Sequence, residues 1–277
     1  MGSISDGYTA MDPRDFVSVA GSEREHVVQK FLRAYAVPRR LREARIADRL
    51  SAVDPTVVPT RWGELAAWRL GAGPAVLLIH GWEDDNSLWS PLINELHGRG
   101  RPLVAFDLPG HGASGGEWGV SFEGTDSVVA VSERMGPIDT VVAHSAGCGM
   151  AAAAIGEGWT VERAAFIAPP LREGDRWMRY ADKLGVTEDV ALAAKAAYFA
   201  AVGDERAAWR PRPAYLGLEV DFLVVQSRDD ERNSVLDTEE VIPRNPRGRL
   251  VIVDGLTHRR TARDPGVIDL VADFVSP

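Results

Sequence analysis

The amino-acid sequence predicts an α/β fold with a doubly wound, mostly parallel sheet and a small helical lid insertion. Three observations predict it: a globular composition, a series of short apolar segments, and helix-like periodicity between those segments. Of the 277 residues, 45% are hydrophobic and 26% are charged, which excludes a disordered or fibrous chain. A chain of this length can form one large domain or two small ones.

The strands are predicted by short segments that are almost wholly apolar. These segments are residues 74–79, 102–106, 139–143, 163–167, 221–225 and 249–253. Strands that are apolar on both faces are typical of a parallel sheet covered by helices. Ahead of them, residues 56–60 and 65–70 flank a short turn segment, which predicts an antiparallel hairpin at the start of the sheet.

Residues 1–54 are predicted to form a helical N-terminal extension of a main domain at residues 55–277. Five apolar residues recur there at helical spacing: Val27, Val28, Phe31, Leu32 and Tyr35. Pro38 interrupts this pattern, and a second helix with Leu41, Ile46 and Leu50 is expected after it. We interpret the extension as packing on the main domain, and the alternative is a homodimer contact.

The interval from Ile167 to Asp221 spans 54 positions, whereas most neighbouring segments are separated by roughly 20–35 residues, a normal crossover. Two helices are predicted within it, at residues 176–184 and 187–202, with Thr187 as the N-cap of the second. An insertion at about residues 169–218, above the carboxyl ends of the strands, would form a lid over a site there.

Charge and composition limit the partners that we expect. The chain has 31 basic and 40 acidic residues, a net charge of −9, so neither nucleic acid nor an anionic membrane surface is expected as a partner. The single cysteine, Cys148, allows no intrachain disulfide. Residues 1–20 lack the pattern of a secretory signal, and no segment approaches the roughly 18 apolar residues of a membrane span. A cytoplasmic location with no metal and no cofactor is therefore expected.

Ser145 lies where the strand ending at Ala143 is predicted to turn into a helix over residues 146–155. Small residues on both sides let the backbone turn sharply and expose the hydroxyl. The amino-terminal amides of the following helix face the same point and favour developing negative charge. The segment is therefore a candidate nucleophile turn.

Four segments, in their order and spacing, resemble the α/β-hydrolase family. They are residues 77–82, residues 105–114, the turn at Ser145, and residues 255–258. The resemblance covers roughly residue 55 to the end of the chain. Two departures are visible: Ala143 replaces the first glycine of the family's usual turn, and Ser227 replaces a glycine often found three positions before the acid.

The resemblance implies a catalytic triad of serine, histidine and an acid. Ser145 would be the nucleophile, which needs a base because a serine hydroxyl is weakly nucleophilic. His258, after the final strand, would be that base. Asp230 would be the acid that orients it, in preference to Asp229.

The resemblance also implies an oxyanion hole made by the backbone amides of Trp82 and Ala146. The aromatic residues expected near a substrate pocket are Trp82, Trp177, Tyr198 and Trp209. His144 is expected to point to the other side of the turn, and Arg259 is expected to be solvated or paired with a carboxylate rather than to bind an anionic group. In this family His80 and His111 would be mainly structural.

The function expected is that of a serine hydrolase that cleaves an ester of a small, partly apolar substrate through an acyl-enzyme at Ser145. A carbon–carbon bond hydrolase or a lactonase would use the same triad. A cofactor-independent dioxygenase and a non-catalytic binding protein on the same fold are the further alternatives.

Overall fold

The computed structural model describes residues 22–39, 45–116, 121–172, 176–202 and 211–276. In this part of the chain, eight strands form one sheet, and separate apolar clusters pack on its two faces. The predicted fold class, a doubly wound and mostly parallel α/β sheet, is confirmed.

The sheet begins with an antiparallel hairpin, as predicted, and continues as parallel strands. The strands are β1 (Thr56–Thr60), β2 (Gly63–Leu70), β3 (Ala75–Ile79), β4 (Leu103–Phe106), β5 (Ile138–His144), β6 (Arg163–Ile167), β7 (Asp221–Ser227) and β8 (Gly248–Val253). Their order is β1-β2-β4-β3-β5-β6-β7-β8. The chain winds from β3 to one side and then from β5 to the other, which creates a crevice at the carboxyl ends of β3 and β5.

Helices cover both faces of the sheet. In the described residues they are α1 (Ser22–Ala36), α2 (Ser90–Gly98), α3 (Ser121–Met135), α4 (Ala146–Gly156), α5 (Arg176–Leu184), α6 (Glu188–Val202), α7 (Pro211–Leu216), α8 (Val235–Val241), α9 (His258–Thr261) and α10 (Pro265–Val275). The last helix shows how the sequence sets a boundary: the carboxylate of Asp264 accepts the amides of Gly266 and Val267, and Pro265 occupies the first turn. None of the helices in these residues combines the length and apolar character needed to cross a bilayer.

A separate helical layer consists of α1, α5 and α6. Phe31 and Tyr35 of α1 are buried together with Trp177 of α5 and Tyr198 of α6, and the Tyr35 and Trp177 rings stack with their centroids 3.6 Å apart. The N-terminal extension therefore packs on the helices inserted between β6 and β7. That these helices act as a lid stays a prediction.

The prediction of a second helix in the extension is wrong for residues 45–50, the part of this segment that the structure describes. Residues 45–47 have no regular structure and turns follow them, while Leu41 lies outside the described residues. The backbone N–H of Ala47 donates to Asn86 Oδ1 at 2.8 Å and Leu50 is buried in the main core, so contacts with the main domain shape this segment. A homodimer through the extension stays a prediction, and the apolar face of α1 is already buried within the chain.

Candidate active site

Ser145 forms a sharp turn between β5 and α4, with φ 53° and ψ −122°. A positive φ is unfavourable for any residue with a Cβ and persists only where neighbours enforce it. Here the Ser145 N–H donates to the carbonyl of Ile167 at 2.9 Å. A Cβ on Gly147 would lie 2.5 Å from the carbonyl oxygen of His80, and one on Gly81 would lie 2.9 Å from Ser145 Cβ. Two glycines therefore let the chain after β3 approach the turn.

Ser145, His258 and Asp230 form one continuous hydrogen-bonded chain. His258 Nε2 lies 2.8 Å from Ser145 Oγ, and His258 Nδ1 lies 2.8 Å from Asp230 Oδ2. The three residues come from the β5–α4 turn, the start of α9 and the loop after β7. In this geometry the imidazole can accept the hydroxyl proton at Nε2 while the carboxylate fixes the Nδ1–H tautomer.

Within the described residues, four donors bind the Asp230 carboxylate. Oδ2 accepts His258 and also Gln226 Nε2 at 3.0 Å, while Oδ1 accepts the backbone amides of Arg232 at 2.8 Å and Asn233 at 2.9 Å. Burial raises the pKa of Asp230. The hydrogen-bond donors, with His258 contributing most, lower the pKa by more, so it lies below its usual value. Asp230 is therefore a carboxylate at neutral pH.

Asp229, the alternative acid, binds elsewhere. Its Oδ2 accepts the backbone amide of Gly255 at 2.6 Å, and its own amide donates to Ser227 Oγ at 3.2 Å. Ser227, which replaces the glycine of the family pattern, therefore supports the loop after β7. The structure places Asp230, rather than Asp229, against His258.

His144 is oriented differently from the expectation. Its ring is buried, its centroid lies 4.7 Å from that of His258, and its Nε2 lies 3.2 Å from the main-chain carbonyl oxygen of His258. Neighbouring side chains of a strand point to opposite faces, but the positive φ at Ser145 ends that alternation. As a result both His144 and the Ser145 hydroxyl lie beside His258.

The loop after β3, residues 81–86, lies against this site. Trp82 is half-buried, with its ring edge-on to His111 at a centroid distance of 5.4 Å. Arg259, next to His258, makes two hydrogen bonds to the buried carboxylate of Asp84, at 2.8 and 3.0 Å. Arg259 was expected to be either solvated or paired with a carboxylate, and the structure shows the pair with Asp84, which connects the loop to α9. The oxyanion roles of the Trp82 and Ala146 amides stay predictions.

The N-terminal extension also binds the 81–86 loop, which the sequence did not reveal. Arg39 Nη2 lies 2.8 Å from Glu83 Oε2, and Arg45 Nε lies 3.3 Å from Asp85 Oδ2. These partners are about 40 positions apart in sequence, and no local pattern indicates such pairs. The extension thus supports the loop that flanks Ser145.

The other histidines near the site have structural contacts. His80 Nε2 accepts the amide of Leu108 at 3.0 Å, and His111 Nε2 accepts the amide of Glu83 at 3.0 Å. Cys148 is fully buried, and burial raises the pKa of its thiol well above the usual value. These contacts fix the loops around Ser145.

Of the residues predicted to line a substrate pocket, Trp82 belongs to the 81–86 loop beside Ser145. Trp177 and Tyr198 are packed inside the helical layer, with ring centroids 5.4 Å apart. Trp209 lies outside the described residues. Packing against α1 accounts for the burial of Trp177 and Tyr198, and a contact between these rings and a substrate stays a prediction.

Comparison with known proteins adds a family match. Residues 76–270 match the sequence model of the alpha/beta hydrolase family. Two short segments match curated proteins. One of 59 residues is 41% identical to a serine hydrolase-like protein of Danio rerio and covers 21% of this chain and 18% of that protein. One of 42 residues is 45% identical to the pimeloyl-[acyl-carrier protein] methyl ester esterase of Xylella fastidiosa and covers 15% of this chain and 16% of that protein.

Solved structures share the fold over most of the chain. An esterase of Pyrococcus furiosus superimposes with a TM-score of 0.65 at 19% identity, covering 86% of this chain and 95% of that one. An esterase of Thermogutta terrifontis gives 0.62 at 18% identity, covering 80% and 97%. A bromoperoxidase of Bacillus anthracis gives 0.60 at 16% identity, covering 78% and 96%. At these identities the likeness shows the fold.

Proposed function

The chain belongs to the alpha/beta hydrolase family, and we propose that it is a serine esterase that cleaves a small, partly apolar ester through an acyl-enzyme at Ser145. One observation carries the proposal. His258 lies 2.8 Å from Ser145 Oγ on one side and 2.8 Å from Asp230 Oδ2 on the other. A non-catalytic protein would not need this alignment of three residues from separate elements.

The proposed reaction follows from the positions of these atoms. Ser145 Oγ attacks the ester carbonyl carbon while its proton passes to His258 Nε2. The ester C–O bond then breaks, and the alcohol leaves with the proton from His258. A water molecule, deprotonated by the same nitrogen, attacks the acyl-enzyme and releases the acid and the free serine. Asp230, held ionised by its donors, stabilises the imidazolium in both steps.

Charge on the carbonyl oxygen would be met by two backbone amides, those of Ala146 and Trp82. Ala146 begins α4 directly after the nucleophile, and the dipole of that helix favours negative charge at its start. Gly81 brings the loop that contains Trp82 to within van der Waals distance of Ser145. The positions of Ala146 and of the loop that contains Trp82 support an oxyanion hole beside Ser145.

An ester is the substrate class best supported. Two of the similar structures are esterases, and one curated match is a methyl ester esterase. In this proposal α5 and α6 cover the site as a lid, with Trp82, Trp177, Tyr198 and Trp209 contributing apolar surface. The enzyme would be cytoplasmic and would act on a small molecule. A lactone or a vinylogous diketone would occupy the same triad, so both belong in the substrate screen.

Aryl ester hydrolysis by the purified full chain tests the proposal. We expect turnover of short-chain p-nitrophenyl esters, with kcat reduced by about 10³-fold or more in Ser145→Ala and in His258→Ala. Ser51→Ala and His97→Ala, at exposed positions, are matched controls that should keep wild-type rates. If Ser145→Ala retained the wild-type rate, the acyl-enzyme mechanism would be wrong.

A further inference from the structure

His144 makes a contact that the mechanism above does not use. Its Nε2 faces the main-chain carbonyl oxygen of His258 at 3.2 Å, and the two rings lie 4.7 Å apart at 43°. We propose that His144 is a positioning residue for the base: its Nε2–H donates to the His258 carbonyl and holds the His258 ring between Ser145 and Asp230. This inference rests on the proposed function, because it assigns His144 to the same reaction.

The contact determines the tautomer of His144. A carbonyl oxygen only accepts hydrogen bonds, so Nε2 must carry the proton. Nδ1 is then unprotonated and can only accept a hydrogen bond, and it is buried without a hydrogen-bond partner among the described residues. A Cβ added at Gly81 would lie 3.2 Å from it, so Nδ1 faces the backbone of the 81–86 loop. The Nδ1–H tautomer would instead set two lone pairs against each other at His258.

His144 is also neutral at the near-neutral pH of the assay. Burial, with a further contribution from the neighbouring His258, lowers the pKa of His144 to about 3. Neutrality matters because His258 must become an imidazolium during the reaction. A charged ring 4.7 Å away would oppose that step, whereas a neutral donor holds the backbone without repelling the charge.

Besides the contact with Ser145, three hydrogen bonds within the described residues hold His258, and His144 makes one of them. Asp230 accepts the ring Nδ1–H, Glu231 Oε2 accepts the His258 backbone N–H at 3.0 Å, and His144 binds the backbone carbonyl. The carbonyl contact fixes the peptide plane from which the His258 side chain extends. Displacing reacting groups by about 1 Å can cost 10²-fold in rate, so this contact should act on kcat. KM should change little, since His144 is buried.

Two nearly isosteric variants separate hydrogen bonding from packing. Gln can place an amide N–H near the position of Nε2, whereas Met fills a similar volume without a donor. In His144→Met we expect kcat for an aryl ester to fall about tenfold with KM within about twofold, the loss expected for one hydrogen bond. The second-order rate of fluorophosphonate labelling at Ser145 should fall by the same factor. In His144→Gln we expect recovery to within about threefold of wild type.

Wild-type kcat in His144→Met, or equal losses in the Met and Gln variants, would overturn the proposal. If His144→Met fails to fold, ¹⁵N NMR of the wild-type protein measures the tautomer of His144 directly. The His144 signals are assigned by their loss in His144→Gln. We expect the neutral Nε2–H tautomer from pH 8 to pH 5, and an Nδ1–H tautomer or protonation in that range overturns the inference. The NMR result does not depend on turnover, whereas an inactive wild-type enzyme would count against the proposed function alone.

Discussion

Replacing Asp230 by Asn is expected to disable the proposed base, His258, by changing the tautomer of its ring. Oδ1 accepts the backbone amides of Arg232 and Asn233 at 2.8 and 2.9 Å, and these donors belong to the main chain and cannot rotate away. The single oxygen of Asn must therefore take that side, which turns its NH₂ group toward His258 Nδ1. An NH₂ group donates, so Nδ1 becomes the acceptor and the ring proton moves to Nε2, facing Ser145.

The imidazole then cannot accept the serine proton. We expect kcat for aryl esters to fall by on the order of 10³–10⁴-fold, about 4–5.5 kcal/mol of transition-state stabilisation. The assay is steady-state p-nitrophenyl ester hydrolysis near neutral pH, with thermal unfolding to confirm that the variant is folded.

Asp229→Asn is the matched control for this prediction. Its carboxylate binds the amide of Gly255 and not His258, so we expect kcat to stay within about threefold of wild type, the effect of one exposed hydrogen bond. A loss below tenfold in Asp230→Asn, or a larger loss in Asp229→Asn than in Asp230→Asn, would refute the tautomer argument.

Three further predictions concern stability and the 81–86 loop. Burial raises the pKa of Asp84 but the hydrogen bonds and charge of Arg259 lower it more, so Asp84→Asn should lower the free energy of unfolding by about 1–3 kcal/mol at pH 7. In denaturant titrations this deficit should shrink as pH falls through the lowered pKa, where wild-type Asp84 also becomes neutral. Gly147→Ala puts a Cβ 2.5 Å from a backbone oxygen and should cost about 2 kcal/mol or more by the same titration. Arg39→Gln removes the pair between the exposed Arg39 and the half-buried Glu83, so kcat should fall no more than about twofold.

The strands of the sheet were predictable because each one is marked by its own short segment of sequence. Each parallel strand is a short apolar run, and the observed β6 coincides with the predicted segment at residues 163–167. Helix α5 also has the predicted bounds, Arg176–Leu184. The second helix of the extension was not predictable in the same way, since Ala47 bonds to Asn86, a partner 39 positions away.

The candidate site was predictable in its residues but not in all its contacts. Spacing and family resemblance identified Ser145, His258 and Asp230, which the structure brings into one hydrogen-bonded chain. The orientation of His144 could not be predicted, because it depends on the turn at Ser145 and on a carbonyl 114 positions away. Aromatic content alone likewise does not distinguish a pocket from a core, as the stacking of Trp177 on Tyr35 shows.

The proposed activation of Ser145 by His258 can be tested by mass spectrometry of the full chain after reaction with a fluorophosphonate, followed by peptide mapping. We predict one adduct per chain, on the peptide that contains Ser145, and much slower labelling in His258→Ala. An unlabelled protein, an adduct on another residue, or undiminished labelling in His258→Ala would show that Ser145 is not a nucleophile activated by His258.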